Sequence, residues 1–214
     1  MERKIDIKQH WRLFVLIVIY TVGIVGHLTT PLYDLMISLT PFTLLLMGGL
    51  VLFEDFYKKN LKFLKWFGVV YLFTLLIEII GVNTGLVFGK YEYGVVLGPM
   101  IFGTPLIIGF NWVIVILGAI LIAQKITSNK ILAIFISAFL AVFFDFLLEP
   151  VAINLKYWDW FGPVPMQNYA AWFIISLIGS ASFIYSEIQT FSSLSKQYYI
   201  IQCVFFLTLN LGLK

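Results

Sequence analysis

The chain has 214 residues, of which 61% are hydrophobic and 12% charged, and its mean hydropathy is +0.97. Soluble domains carry about a quarter charged residues, so a water-soluble globular fold is excluded. The net charge of +3 and pI near 8.9 do not point to nucleic acid, because the lysines and arginines are scattered through short loops with no continuous basic stripe. Cys203 is the single cysteine and lies in an apolar run, which leaves no disulfide framework. His10 and His27 are too few for a haem pair or a histidine-rich di-iron site.

Seven apolar stretches follow one another, at about Arg12–Val25, Leu32–Phe53, Leu64–Val82, Thr104–Ala123, Ile131–Leu148, Tyr169–Tyr185 and Tyr198–Leu213. Each is long enough to read as a helix span through roughly 30 Å of hydrocarbon. The expected fold is all-α: a polytopic membrane bundle of about seven transmembrane helices with two long aromatic outer loops, forming one integral membrane domain over residues 1–214. Pro41 removes a backbone donor inside the second span and should kink it. The basic start Met1-Glu-Arg-Lys resembles a signal peptide, but no small-residue cleavage site follows, so the first span is expected to be retained. If the N-terminus is cytoplasmic, that side receives Arg3, Lys4, Lys8, Arg12, Lys58, Lys59, Lys62, Lys65, Lys125, Lys130 and Lys196, which is 11 of 14 basic residues. The other side has only Lys90, Lys156 and Lys214. This bias predicts a multi-pass protein of the cell membrane with a cytoplasmic N-terminus and an outer C-terminus.

The two longest loops, Asn83–Gly103 and Pro150–Asn168, fall on the same outer side and are rich in Gly, Pro, Tyr and Trp. Long ordered connections tend to carry function, and this composition suits the membrane interface. They also resemble each other. Glu78 is followed by Asn83, Lys90-Tyr91-Glu92-Tyr93, Gly98-Pro99, Pro105 and Asn111-Trp112; Glu149 is followed by Asn154, Lys156-Tyr157-Trp158-Asp159-Trp160, Gly162-Pro163, Pro165, Asn168 and Trp172. This reads as a parallel helix-loop-helix repeat, with chance likeness of two interfacial loops as the competing reading.

Glu78, Asp145 and Glu149 stand within or at the ends of apolar helices, where an ionisable residue is costly unless it faces a partner or a wet cavity. Asp145 and Glu149 are four apart and share a helix face about 6 Å apart, where two negative charges repel by about 3 kcal/mol at an effective dielectric near 20. One of the pair is expected to hold a proton while the other is ionised, as acid-base chemistry requires. The bland alternative is that Glu149 ends a helix before Pro150, and that Asp145 bonds a neighbouring helix. His27, Asp34, Asn83, Glu92, Asn111, Asn154 and Asn168 also fall in the outer half, with the rings of Tyr91, Tyr93, Trp112, Tyr157, Trp158, Trp160 and Trp172. The inference is an outer-leaflet cavity of carboxyls, amides and rings. Membrane-belt anchoring competes for each ring, and an interfacial cap for His27, although a ring face can also stabilise a cation. There is no phosphate-cradling glycine loop, dinucleotide fingerprint or metal-ligand spacing. No cofactor and no metal is therefore expected.

Several of these motifs resemble one family. Glu78-Ile-Ile-Gly81 with Thr84-Gly85, Phe88-Gly-Lys-Tyr91-Glu-Tyr93, Leu97-Gly98-Pro99 and Pro105, then Glu149-Pro-Val-Ala152, Trp158-Asp-Trp160, Pro165-Met-Gln-Asn168 and Trp172, look like the CruF-type carotenoid hydratases, the group of bisanhydrobacterioruberin hydratases and related carotenoid 1,2-hydratases. The likeness covers Glu78 to Trp172. Two departures stand out: Glu149 occupies a position expected to be aspartate, and Lys156-Tyr157 replaces a glycine before the tryptophan pair.

The resemblance implies a cofactor-independent hydro-lyase of carotenoid biosynthesis that adds water to the terminal isopropylidene double bond of an acyclic end group through a tertiary carbocation. It makes a carotenoid in the bilayer the substrate and other carotenoid-pathway enzymes the expected partners. Asp145 or Glu78 would be the acid and Glu149 the electrostatic partner or base. Asn83, Tyr91, Tyr93, Asn111, Trp112, Trp158, Trp160, Asn168 and Trp172 would bind the substrate. Two competitors remain: a lycopene-type end-group cyclase, which begins with the same protonation but excludes water, and a non-enzymatic carotenoid-binding or proton-coupled transport protein.

Overall fold

A computed structural model describes residues 7–192 and 194–213. Arg3, Lys4 and Lys214 of the charge count, and the Met1-Glu-Arg-Lys start, lie outside the described residues. The described chain forms a polytopic helical membrane bundle of seven α-helices: α1 Ile7–Leu28, α2 Tyr33–Tyr57, α3 Leu61–Thr84, α4 Leu106–Ile126, α5 Lys130–Asn154, α6 Met166–Tyr185 and α7 Leu194–Gly212. Six of them, α1 to α6, are long and apolar enough to cross a membrane. Helices dominate because backbone groups in hydrocarbon must be paired within the segment.

The most apolar helix, α4, runs through the middle. Trp112 to Ile120 are all buried, against α3, α5, α7 and α2. The outer faces of α1, α2 and α3 keep Phe14, Phe42, Leu46, Val69 and Leu72 exposed, as a lipid-facing surface requires. The turns before α3 and α5 are built alike: the side chains of Asn60 and Asn129 accept from the backbone N–H of Phe63 and Leu132 and so satisfy a free donor of the first turn. Pro105 and Pro165 stand just before α4 and α6, in extended backbone and with no side-chain cap.

The helix α5 does not end at Leu148. It continues through Pro150 to Asn154, so the second long loop starts later than the sequence suggested. A proline deletes one intrahelical donor, and the ladder resumes beyond it, with Leu155 N–H donating to the Val151 carbonyl.

The two long loops meet. Strand β1 (Tyr91–Tyr93) pairs antiparallel with β4 (Trp158–Trp160), placing Tyr91 opposite Trp160, Glu92 opposite Asp159 and Tyr93 opposite Trp158. A small hairpin of β2 (Met100–Ile101) and β3 (Thr104–Pro105) completes this cap. Alternation puts Glu92 and Asp159 outward and the four rings toward the bundle. Gly94 extends the junction, its N–H donating to the Tyr157 carbonyl; a Cβ there would lie 2.2 Å from the Lys156 carbonyl oxygen, so only glycine fits. Lys156 itself adopts φ 59°, in the left-handed region that glycine takes freely and other residues at a cost of about 1–2 kcal/mol. Glycine would take this conformation freely, and this chain holds Lys156 in it at that cost.

At the opposite end, Asp55 is fully buried and ties α2 to the segment before α7. It accepts from Asn60 Nδ2 (2.8 Å), Thr190 Oγ1, Phe191 N (2.9 Å) and Ser192 N (3.2 Å). Arg12 and Glu54 pair nearby at 2.9 Å.

Candidate functional site

Beneath the β1–β4 cap, the bundle holds a cavity of about 180 Å³. Glu78, Asp145 and Glu149 all line it, with Tyr91, Tyr93, Asn111, Trp112, Trp158, Trp160, Asn168 and Trp172. Helix spacing explains the depth. Glu78 lies six residues before the end of α3 and Glu149 five before the end of α5, so both sit about 8–9 Å below the helix ends; Asp145 is one turn deeper. All three are at most 3% exposed, and at that burial a carboxyl needs hydrogen-bond partners.

The strand after each helix supplies them. The Tyr91 hydroxyl donates to Glu78 Oε2, and the Tyr93 hydroxyl donates to the same oxygen at 3.0 Å. In the second half, Trp158 Nε1 and Trp160 Nε1 donate to Glu149 Oε2 at 3.0 and 2.9 Å. Tyr-Glu-Tyr and Trp-Asp-Trp are thus counterparts, each hanging two ring donors on the glutamate of its own helix. The halves differ one turn below. Four residues before Glu149 is Asp145, whereas four before Glu78 is Thr74, whose hydroxyl bonds the carbonyls of Val70 and Tyr71 within its helix. Asn168, three residues after Pro165, donates from Nδ2 to Asp145 Oδ2 (2.7 Å) and faces Glu149 Oε1 at 3.3 Å. Its counterpart, three residues after Pro105, is Ile108. The second half therefore carries a carboxyl pair bridged by one amide, and the first half a single carboxyl.

The donor types differ as well. Indole and amide N–H groups only donate, so the ring of donors around Glu149 suits a carboxylate. Phenol oxygens both donate and accept, so the Tyr91–Tyr93 pair can serve Glu78 in either form. Tyr91 and Tyr93 are pushed well above the ordinary phenol value, first by burial and then by the Glu78 charge, and they stay protonated donors at all working pH. Tyr157 is likewise raised by burial, against an opposing hydrogen bond with Thr40.

Rings form the rest of the wall. Trp112 and Trp172, each seven residues after its proline, stack at 3.4 Å between ring centroids with planes 18° apart; Phe88 stacks on Trp172 at 5.1 Å. Tyr91 and Trp160 lie 4.8 Å apart across the sheet. Asn83 is placed elsewhere: its amide donates to the Ile79 and Phe102 carbonyls, pinning the loop outside the cavity. His27 caps its own helix through Nδ1 and the Gly23 carbonyl at 2.7 Å.

One polar cluster stands apart from the sequence motifs. Tyr20 lines the cavity, donates to the Tyr198 hydroxyl at 2.8 Å and receives Gln202 Nε2 at 3.3 Å, while the same Gln202 nitrogen reaches Asn111 Oδ1 at 3.5 Å. A tyrosine and a glutamine in otherwise apolar spans were the available signal. Asn111 thereby finds the partner that its depth in α4 requires.

A family model described as carotenoid biosynthesis protein matches residues 40–213 of this chain. The chain is also similar to the bisanhydrobacterioruberin hydratase of Haloarcula japonica, 33% identical over an alignment of 107 positions that covers 46% of this chain and 36% of that relative. The matched region thus spans about a third of the relative's length. No solved structure gives a significant match.

Proposed function

Because this chain belongs to the carotenoid biosynthesis protein family, we propose that it is a carotenoid hydratase, adding water to the terminal isopropylidene double bond of an acyclic end group without a cofactor. The observation that carries this reading is the convergence of Asp145, Glu149 and Glu78 with stacked rings in one membrane-buried cavity. The name of the similar hydratase supports it.

In this reading Asp145 is the acid. One amide nitrogen faces both Asp145 and Glu149, an arrangement that suits one negative charge rather than two, and Asp145 uses only Oδ2 for that bond. Its proton goes to the less substituted alkene carbon; the π pair forms the new C–H bond and leaves a tertiary cation. The faces of Trp112 and Trp160 stabilise that cation, with Trp172 stacked behind Trp112, and Glu78, held by its two phenols, adds charge across the cavity. Water then bonds to the cationic carbon, and its surplus proton passes to Glu149 and back to Asp145, so that the net change is one water gained.

The end of the bundle carrying the sheet faces outward in this reading, as the 11-of-14 charge count supports. Labelling cysteines placed at Lys90 or Lys156 only from the cytoplasmic side would reverse it. For the reaction, purified protein is given an acyclic carotenoid, and its product mass is measured. Gain of one or two waters is expected. Asp145→Asn should lose most of the roughly 10²–10⁴-fold that a positioned acid supplies, and Glu78→Gln, which removes the charge facing the cation, should lose activity as well. A product isomeric with the substrate would assign end-group cyclisation instead, and unchanged substrate would assign binding or transport.

A further inference from the structure

A chain about as long as the bilayer core is thick, roughly 30 Å, cannot lie inside a cavity of 180 Å³. Most of such a substrate must sit elsewhere while its end reacts. Among the residues that line the cavity, the exposed ones are Ile19, Val22 and Leu39, all on α1 and α2. The cavity therefore opens sideways between these two helices.

The depth of the opening is consistent from both sides. Ile19 and Val22 lie nine and six residues before the end of α1, and Leu39 lies six residues after the start of α2, which places all three about 9–14 Å below the sheet-bearing ends of their helices. That is within the hydrocarbon, level with the carboxyls. Above the opening the helices touch: a Cβ on Gly26 would lie 2.4 Å from Met36 Cγ, so α1 and α2 are in close contact near their connecting turn. The walls contributed by Ile19, Val22, Leu39 and Leu44 are apolar; of the hydroxyls beside them, Tyr20 is hydrogen-bonded to Tyr198 and Thr40 to the Met36 carbonyl and Tyr157, and Thr43 is the third. The carboxyls lie on the far wall, on α3 and α5.

We propose that the slot between α1 and α2 is a lateral port that holds the unreacted part of an acyclic isoprenoid chain, admitted from the bilayer with its end group toward Asp145 and Glu149. This rests on the hydratase reading for the identity of the chain. The occupant is argued from the continuity of the slot with the reaction cavity, its apolar walls and its depth in hydrocarbon; a polar substrate would have to cross lipid to reach it.

The test narrows the slot without touching the carboxyls. Val22→Trp and Leu39→Trp are compared with Leu46→Trp, which alters a lipid-facing position of α2 outside the cavity. Each protein is placed in phosphatidylcholine vesicles carrying a long acyclic polyene, and separately given a short isoprenoid alkene that fits wholly within the cavity. The two port variants should lose about tenfold or more in kcat/KM on the polyene and keep the short alkene within about twofold, as overpacking a filled slot predicts. Leu46→Trp should match wild type on both. The port is overturned if Val22→Trp and Leu39→Trp handle the polyene at wild-type rates, or if they lose both substrates alike. Should wild type hydrate neither compound, the hydratase reading falls by itself, and the port is then judged by the polyene retained through purification, measured by absorbance. Loss of retained pigment in the port variants alone upholds it, whereas retention equal to wild type rejects it.

Discussion

Asn168→Leu isolates the group that joins the carboxyl pair. Leucine keeps the approximate size of the side chain at a position that is 2% exposed, so packing changes little while both amide bonds vanish. Glu149 bears the charge of the pair, so its contact at 3.3 Å is the charge-assisted one, worth about 1.5–3 kcal/mol; the 2.7 Å bond to the protonated Asp145 is a neutral one, worth about 0.5–1.5 kcal/mol. Their sum, about 2–4.5 kcal/mol, corresponds to a loss of roughly 30- to 2,000-fold in kcat/KM if the amide is needed to hold the pair in its reactive arrangement. The assay is the initial rate of water gain by an acyclic carotenoid, followed by product mass, with thermal unfolding in detergent as the check on folding. Part of the loss should appear there too, because removing the amide leaves two buried carboxyls facing each other. A folded Asn168→Leu protein that hydrates within about threefold of wild type, while Asp145→Asn is inactive, would refute the assignment of the bridge.

Glu149→Asp keeps the charge toward Trp158 and Trp160 and should be milder than Glu149→Gln, which can turn an NH₂ donor against two N–H donors; relative hydration rates decide the order, with Glu149→Gln expected to lose about 10² or more. The raised Tyr91 and Tyr93 contribute stability that is fully present below the unfolded phenol value of about 10 and is lost as pH rises through it toward the folded values. Melting temperatures measured from pH 8 to 11 should therefore fall above pH ~10, and Tyr91→Phe with Tyr93→Phe should flatten that decline. Asp55→Ala strips the acceptor from the Phe191 N–H and the Thr190 hydroxyl and leaves the Ser192 N–H with Thr190 Oγ1 alone; unfolding should become easier by about 2–4 kcal/mol, with hydration by the remaining folded protein nearly unchanged because the site lies at the other end of the bundle.

The helices were legible in the sequence because a span must be apolar along its whole length, and the seven runs match α1 to α7, of which α1 to α6 are long and apolar enough to cross a membrane. Their ends were less so: Pro150 looked like a terminus, yet one missing donor is not enough to stop α5. The three acids could be singled out because a carboxyl in an apolar helix demands a reason, and the cavity brings them together. The strand pairing was beyond reach, since three-residue strands separated by two helices leave no period to read. Asn83 carries the same side chain as Asn168, but only the second stands where its amide faces two carboxyls; the first finds backbone carbonyls, and no sequence spacing distinguishes them. The Tyr20–Gln202 contact joins the first and last helices, and its partners are invisible until those helices meet.

The way the glutamates are partnered bears on how such a chain enters a bilayer at all. Glu78 finds its phenols 13 and 15 residues later, and Glu149 finds its indoles 9 and 11 residues later. Each acid thus reaches the membrane followed at once by its own donors, carried on the same helix-and-strand segment. Only the Asp145 bridge, made 23 residues on by Asn168, has to wait for the next helix. The least protected acid during insertion is the one assigned the reactive proton, so failed membrane integration should concentrate on changes around α5 and the start of α6, where chemistry and biogenesis make opposing demands on the same side chains.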